Sequence, residues 1–438
     1  MNGKVMHEAR PFSHAGRAIR QCRICGSGDL LDILDLGTQA FTGVFPRAED
    51  EAVPYGPLRL VQCSAASGGC GLVQLRHSFE AADMYGDNYG YRSGLNRSMV
   101  RHLQHRVAEA RRRVSLSAGD VVLDIGANDA TTLRCYGKSG YRLVGIDPSA
   151  AKFRHHYPAW VECVPDFFSA RLFRERVGDA RARIVTSIAM FYDLEDPTDF
   201  MRQVHDVLAD DGIWVFEQSY LPLMIEQNAY DTVCHEHVSY YALRQIAWMA
   251  DRAGLRILDV EFNDVNGGSF CVTAARQGSS HAADERRVGS ILEEEDRLGY
   301  GESWPYDRFR QRVFRHRDEL RALVNRINSS GGLVCGYGAS TKGNVVLQFC
   351  DFTADDIPMI AEVNEEKFGC VTPHTRIPIV PEREVRAARP DHLLVLPWHF
   401  RDGIVGREQA YLAAGGSLLF PLPRIESVAR AQVLRRAA

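Results

Sequence analysis

Val121-Val-Leu-Asp-Ile-Gly-Ala-Asn-Asp-Ala130 is the stretch on which the fold turns. Residues 121–125 form a short apolar run that reads as a buried strand. Gly126 follows where the chain must turn tightly and let a ligand approach the backbone. About twenty residues on, Leu143-Val-Gly-Ile-Asp147 is a second apolar strand closed by an acid, placed where a carboxylate meets a ribose diol. Asn128 and Ala130 stand where a dinucleotide fingerprint has its middle and last glycines, so the turn lacks the backbone cradle for a pyrophosphate. An ordinary strand-turn-helix without a ligand begins in the same way, because strand-end glycines are common in α/β folds.

The pattern on either side alternates between helix and strand. A basic helix is expected over 98–113, and apolar strands over 142–146, 184–188 and 213–217. Such alternation predicts parallel strands with helices on both faces. Upstream lie short strand-like pieces, cysteines, a Gly- and Ser-rich segment at 64–71 and a Tyr/Gly-rich tail. Downstream, a charged helical stretch over 282–328 leads to a second set of buried strands at 332–336, 359–363, 392–396 and 417–420. We expect an α/β chain in four parts: a cysteine-bearing unit over 1–97, a central unit over 98–280, a helical linker over 281–330 and a second α/β unit over 331–438. A length of 438 residues agrees with about three domains of roughly 100–200 residues each.

Composition narrows the function classes. A formal charge of −4 supplies no global basic field for nucleic acid. No run of about 18 apolar residues is present, so no membrane span is expected. The first 20 residues are polar and rich in Arg and His, unlike a secretory signal, and a cytoplasmic protein is expected. In that setting the 11 cysteines read as metal ligands or reduced thiols.

Two cysteine pairs form the first chemical constellation. Cys22-Arg-Ile-Cys25 places two thiolates close enough to share one tetrahedral ion, and Cys63 with Cys70 complete a Zn-S4 set. Six residues separate the second pair where two are usual, and Gly68 and Gly69 let the longer loop fold back. Free thiols are the alternative reading. Four thiolates leave no position for a reactive water, so the ion would hold the fold and not catalyse.

Cys234-His-Glu-His237, within 230–241, concentrates acid-base groups downstream of the Gly126 turn. Imidazole titrates near operating pH, which suits Glu236 and His237 to proton transfer. The bland reading, a satisfied structural imidazole, applies above all to His235. A zinc reading lacks the i, i+4 helical spacing and a third ligand. Further on, Gly336-Tyr-Gly-Ala-Ser-Thr-Lys-Gly343 follows a strand, and its backbone N–H groups with Ser340 and Lys342 offer a phosphate-binding turn at a helix N-terminus. It matches neither a P-loop nor a dinucleotide fingerprint, so an architectural turn with Lys342 on the solvated face is the competing reading. Glu217 falls at the carboxyl edge of its strand, where α/β proteins place ligands, and could face a substrate.

The Asp124-Ile-Gly126 turn resembles the S-adenosylmethionine loop of class I methyltransferases, Asp/Glu-x-Gly-x-x-x-Gly, with Asn128 and Ala130 as departures. Four further stretches broaden the resemblance: Cys70-Gly-Leu-Val-Gln74, Tyr89-Gly-Tyr91-Arg-Ser-Gly94, the His-Glu-His run, and Val334 to Gly343 with Gly415-Gly416 and Pro421-Leu-Pro423. In that order, over roughly residues 20 to 425, the chain resembles the bacterial zinc-containing sugar C-methyltransferases that act on nucleotide-linked 4-keto-deoxysugars.

The resemblance implies a Rossmann-like class I methyltransferase core, an N-terminal zinc-binding domain and a C-terminal Rossmann-like domain. It implies adenosylmethionine held by Asp124, Gly126, Asn128 and Asp147, with Asp166 and Phe167 beside the adenine. Either aromatic of Asp166-Phe-Phe168 reads equally as core. Carbon methylation needs a carbon nucleophile, and a sugar carbon becomes one only by losing a proton next to a ketone. The family base is then His237, with Glu236 as its partner, Tyr89 and Tyr91 in the active-site wall, and Ser340 and Lys342 against the substrate diphosphate. Cys234 stands where many relatives have Tyr, and Asp193 near where relatives often have His. These departures keep a heteroatom methyltransferase as the alternative. A zinc-ribbon nucleic-acid binder is the third reading, and 20–75 lacks the basic, aromatic-interleaved surface it needs. A monomer is the expected state.

Overall fold

The computed structural model describes residues 16–47, 53–80, 84 and 91–429. The opening apolar run is the strand Val121–Ile125, buried along its whole length near the middle of a seven-stranded sheet. The sheet order is Leu255–Asn263, Ser269–Arg276, Leu208–Ser219, Ala182–Ile188, Val121–Ile125, Arg142–Ile146, Val161–Val164. The last five are mutually parallel, and Ser269–Arg276 runs antiparallel to both its neighbours. Parallel strands covered on both faces read as continuous apolar runs, which is why the central ones were legible. The strands the pattern did not show lie mostly at the edges. Val161–Val164 has only 4 residues, and Leu255–Asn263 interleaves Arg256, Asp259 and Glu261 on a half-exposed face.

The helix expected over 98–113 is Arg97–Arg113, its first turn capped by the Asn96 side chain accepting from Ser98 N. The charged linker is two helices, Glu285–Arg297 and Trp304–Ser329, rather than one stretch. Gly299 breaks it with φ +72°, and a Cβ there would lie 2.8 Å from the Trp304 indole nitrogen.

The N-terminal sheet is antiparallel, in the order Ser239–Tyr240, Val73–Leu75, Tyr55–Cys63, Leu30–Ala40. Its first strand comes from the central block, two residues past His237. The C-terminal sheet is ordered Ile379–Pro381, Ile360–Glu362, Val334–Tyr337, His392–Val395, Ser417–Phe420, Glu426–Val428, with only the last strand antiparallel. Leu58 and Leu60 of the first sheet, Phe309 and Val313 of the linker, and Val334 and Leu394 of the last sheet belong to one buried cluster. Polar bonds fasten the same seam. Gln348, on the helix Thr341–Phe349, accepts from Ala40 N at 2.7 Å, and Asn344 donates to Thr42 O at 2.8 Å. The chain therefore has a central α/β core with a cysteine-bearing antiparallel unit and a second, mostly parallel α/β unit closed around one flank.

Candidate active site

The carboxyl ends of the parallel strands gather the cofactor-side residues, as the geometry of open α/β sheets requires. The turn is tight: Gly126, Asn128 and Ala130 have φ of +76°, +47° and +61°. Gly126 and Asn128 belong to the residue types that tolerate this region, whereas Ala130 is strained by roughly 1–2 kcal/mol. Asp147 locks the turn by accepting Asn128 N at 2.8 Å on one oxygen and Ser149 N at 2.6 Å on the other. Asp124 is buried beneath the loop, where Thr186 donates to it, and desolvation pushes its carboxyl up to about 7. Asp166 and Phe167 follow the strand Val161–Val164, and the Phe167 ring is 56% exposed. Its neighbour Phe168 packs on Phe200, so of the two aromatics Phe168 is the packed one and Phe167 lies open at the sheet edge.

Asn128 has a second task that its place in the motif did not reveal. Its amide accepts from Ser93 N and donates to Tyr91 O, while Asp129 accepts from Gly94 N at 3.0 Å. The 91–94 segment is thus tied across the cofactor turn by two side chains. Gly94 is needed there, since a Cβ would lie 2.5 Å from an Asp129 oxygen. Tyr91 meets the turn through its carbonyl, and its ring is 48% exposed. Tyr89 lies outside the described residues.

The His-Glu-His run folds into a small cleft whose walls include Tyr192, Ser219, Thr232, His237 and Tyr240. His235 points away from it. It lies between Phe41 and Phe79, with ring centroids 4.5 and 4.7 Å away, and Nε2 donates to Gly56 O, so burial holds it neutral, down to about 4. His237 packs against Tyr192 with ring centroids 4.2 Å apart and the planes tilted by 56°, and its Nδ1 is 2.8 Å from Thr232 O. A carbonyl only accepts, so Nδ1 carries the proton and Nε2 keeps its lone pair. Burial, then the Lys342 charge, bring His237 down to about 4, whereas burial pushes Glu236 up to about 7. The Glu236 carboxylate presses on the backbone of Gly43, where an added Cβ would be 2.5 Å from Oε1. Gly43→Ala should therefore displace Glu236, and a proton-transfer role for that carboxyl predicts a loss of about tenfold in turnover. Steady-state kinetics beside cofactor-binding calorimetry check this.

Cys234 is 1% exposed, and burial raises its thiol well above the usual range, so it lies beside Glu236 and His237 as a neutral thiol. Its sulfur, a Glu236 oxygen and a His237 nitrogen lie within 4.8 Å of one another, which supplies the third ligand the linear motif lacked. Lys342 projects its charge on both Cys234 and His237, and an ammonium there disfavours a dication. Asp193 ends the 3-10 turn Phe191–Asp193, within electrostatic reach of Cys234.

The structure gives the three expected substrate groups, Glu217, Ser340 and Lys342, partners within the fold. Glu217 is buried, with His102 Nε2 at 2.6 Å on one oxygen and Asn263 Nδ2 at 2.9 Å on the other, so its carboxylate is held inside the fold. The strand that carries it is flanked by Ala182–Ile188 and Ser269–Arg276, and two side chains close over its end. Ser340 caps its own helix by accepting from Gly343 N. Two further N–H groups of the turn are taken: Gly338 donates to Ala361 O and Ala339 to Glu362. Its glycines answer to packing, since a Cβ at Gly338 would meet Pro397 at 2.8 Å and one at Gly343 Leu396 at 2.7 Å. Lys342 leaves the solvated face. Its Nζ donates to Asn266 O at 2.6 Å, and its charge reaches Asp231, Cys234, His237 and His399.

The four predicted cysteines converge. Cys22 Sγ lies 3.5 Å from Cys70 Sγ, and Cys25 Sγ 3.4 Å from Cys63 Sγ. These separations are far too long for a disulfide at about 2.05 Å. They approach the edge of a tetrahedron with metal–sulfur bonds of about 2.3 Å. Of the ligands, Cys22 and Cys63 are buried and Cys25 and Cys70 half-buried. A Zn2+ ion fits this donor set.

With this geometry in hand, known proteins add the identity. A zinc binding domain family matches 22–85, a methyltransferase domain family matches 99–260, and a C-methyltransferase C-terminal domain family matches 264–423. C-methyltransferase NovU of Streptomyces niveus is 32% identical over 410 residues, 93% of this chain and 96% of that one. The chain belongs to the C-methyltransferase family. It is an adenosylmethionine-dependent methyltransferase with a zinc-binding N-terminal domain. Solved structures of lower similarity include the CcbJ methyltransferase of Streptomyces caelestis, at 15% identity, TM-score 0.31 and coverage of 40% of this chain and 89% of that one. The mitomycin 7-O-methyltransferase MmcR has 14% identity, TM-score 0.32 and coverage of 42% and 55%. No helix among the described residues of the C-methyltransferase is long and apolar enough to cross a membrane.

Asp129, Gly43, Asp231 and His399 are site-side residues that the sequence pattern passed over. Asp231 is fully buried and accepts from Trp398 Nε1 at 2.7 Å. The signal for Asp129 was present, since a carboxylate beside Asn128 in a ligand turn is an available anchor. Gly43 and His399 carry no local signal, because each meets the site only through the folding of a distant segment.

Proposed function

We propose that the enzyme methylates a carbon next to the ketone of a nucleotide-linked deoxysugar, with His237 as the base. The observation that carries this reading is the imidazole geometry: Nδ1–H on Thr232 O, Nε2 unprotonated, and a Glu236 oxygen within 4.8 Å of an imidazole nitrogen. His237 Nε2 takes the proton from the carbon, and the electron pair left behind delocalises onto the ketone oxygen as an enolate. Adenosylmethionine, when bound, supplies the electrophilic methyl that this carbon takes up. Asp124, Gly126, Asn128 and Asp147 would hold it at the turn, with Asp166 and Phe167 at its adenine.

Burial that keeps His237 neutral also makes it a weak base, so other groups must favour the charge-separated state. Glu236 ionises near 7 and then provides a negative neighbour for the imidazolium. Lys342 opposes that imidazolium but favours the enolate anion formed beside it, and we assign it to the reacting end of the substrate. Lys342→Met should lower kcat by about 100-fold, the usual loss when one preorganised charge partner is removed, with a small change in KM. A normal kcat would return Lys342 to an architectural role.

Solvent deuterium exchange into candidate keto-sugar nucleotides tests the reaction class. Enzyme-dependent exchange at the carbon that later carries the methyl is the expected result. Methyl transfer to a mapped heteroatom, with no exchange, would overturn the enolate reading.

A further inference from the structure

Arg23 occupies the two-residue turn between zinc ligands Cys22 and Cys25, yet its side chain is only 3% exposed. Nη1 donates to Leu75 O at 2.7 Å and approaches Gln74 Oε1 at 3.3 Å and Val238 O at 3.5 Å. Nη2 donates to Ser78 Oγ at 2.9 Å and His77 O at 3.3 Å, and Nε to Glu195 at 3.3 Å. All five guanidinium N–H donors have an acceptor, in a fork that no other side chain reproduces.

The acceptors lie on both sides of His237. Val238 is its chain neighbour, and Leu75 N donates to Val238 O at 2.9 Å, which starts the pairing of Val73–Leu75 with Ser239–Tyr240. Glu195 follows the 3-10 turn Phe191–Asp193, whose Tyr192 ring packs on the His237 imidazole. Glu195 is also held by Ser78 Oγ at 2.7 Å. One side chain thus fastens both the strand that begins after His237 and the loop that supports its ring. The fourth zinc ligand adds a parallel hold, since Cys70 O accepts from Gln245 Nε2 at 3.0 Å on the helix Leu243–Arg252 that follows the same strand.

We propose that Arg23 is a positioning residue for the catalytic histidine, and that the zinc turn is the rigid base from which it sets His237 against the substrate. The proposal rests on His237 being the base. A misplacement of about 1 Å costs roughly 100-fold in rate, so a clamp of this kind acts on the proton-transfer step and not on binding.

The test is Arg23→Gln in the full-length protein, read by zinc content, adenosylmethionine affinity and the rate of solvent deuterium exchange into saturating substrate. One zinc per chain, affinity within twofold of wild type and exchange slowed 10- to 100-fold is the expected result, on the scale of that misplacement. Exchange within twofold of wild type in a zinc-replete variant overturns the proposal. Should Arg23→Gln lose its metal, Glu195→Gln leaves the zinc turn whole and is expected to slow exchange severalfold, and an unchanged rate there is equally decisive. His237→Ala in parallel separates the two readings. Normal exchange in His237→Ala removes the base assignment and the proposal with it, whereas lost exchange in His237→Ala beside normal exchange in Arg23→Gln removes only the role of Arg23.

Discussion

His237→Ala lowers kcat by about three orders of magnitude while adenosylmethionine affinity stays within twofold, the loss expected on removing a positioned general base. The cofactor side of the sheet is built from strand ends and bonds that do not use this imidazole, with Asn128, Asp147 and Asp129 locking the turn among themselves and to 91–94. Calorimetry with the cofactor should therefore look like wild type, and deuterium exchange should disappear. His237 is neutral above about 4, so it sets no limb of the rate profile between pH 5 and 9. Glu236 does, because its carboxyl is raised to about 7 and the ionised form supports the imidazolium. Activity is expected to rise through about pH 7 in the wild type, and Glu236→Gln should flatten that rise. A folded His237→Ala variant with near-normal turnover would end the base assignment.

Loss of the metal is expected to have the largest effect on stability. Cys63→Ser removes one of four thiolates from a site that contributes on the order of 10 kcal/mol of folding free energy when such a metal is bound. Cys63 is fully buried at the end of the strand Tyr55–Cys63, so the lost ligand is not replaced by water from outside. The damage should not stay local. Val73–Leu75, just past Cys70, pairs with Ser239–Tyr240, and Leu58 and Leu60 share a cluster with the linker and the C-terminal sheet. Metal analysis should find about one zinc per wild-type chain. Cys63→Ser should melt at a much lower temperature or accumulate as insoluble protein. A well-folded wild-type chain without bound metal would overturn the zinc assignment.

Where residues are neighbours in sequence, their local structure was readable. Val121–Ile125 with its glycine turn, the second strand closing on Asp147, and the cysteine pairs are short patterns whose geometry follows from backbone sterics and ligand spacing. The structure differed where an assignment depended on what a side chain meets. Glu217 was placed correctly at a strand end, but His102, from a helix 115 residues away in sequence, holds its carboxylate. Lys342 was set against a phosphate because a glycine turn surrounds it. The N–H groups of Gly338, Ala339 and Gly343 go to Ala361 O, Glu362 and Ser340, and the ammonium donates to Asn266 O while its charge reaches His237.

By itself the sequence determined a parallel α/β core with an adenosylmethionine-type turn, a four-thiolate metal site and a cluster of acid-base groups, because each is written in local periodicity or in spacing along the chain. Only the tertiary structure shows how differently the two imidazoles of the run are surrounded. His235 and His237 are two residues apart with the same chemistry, and the backbone sends one between Phe41 and Phe79 and the other against Tyr192 and Thr232 O. It also decided that Arg23, between two cysteines at the start of the chain, reaches the peptide beside His237. The physical reason is the same in both cases: a side chain's protonation state and reach depend on partners brought in from distant segments, and those partners leave no mark on the residues next to it.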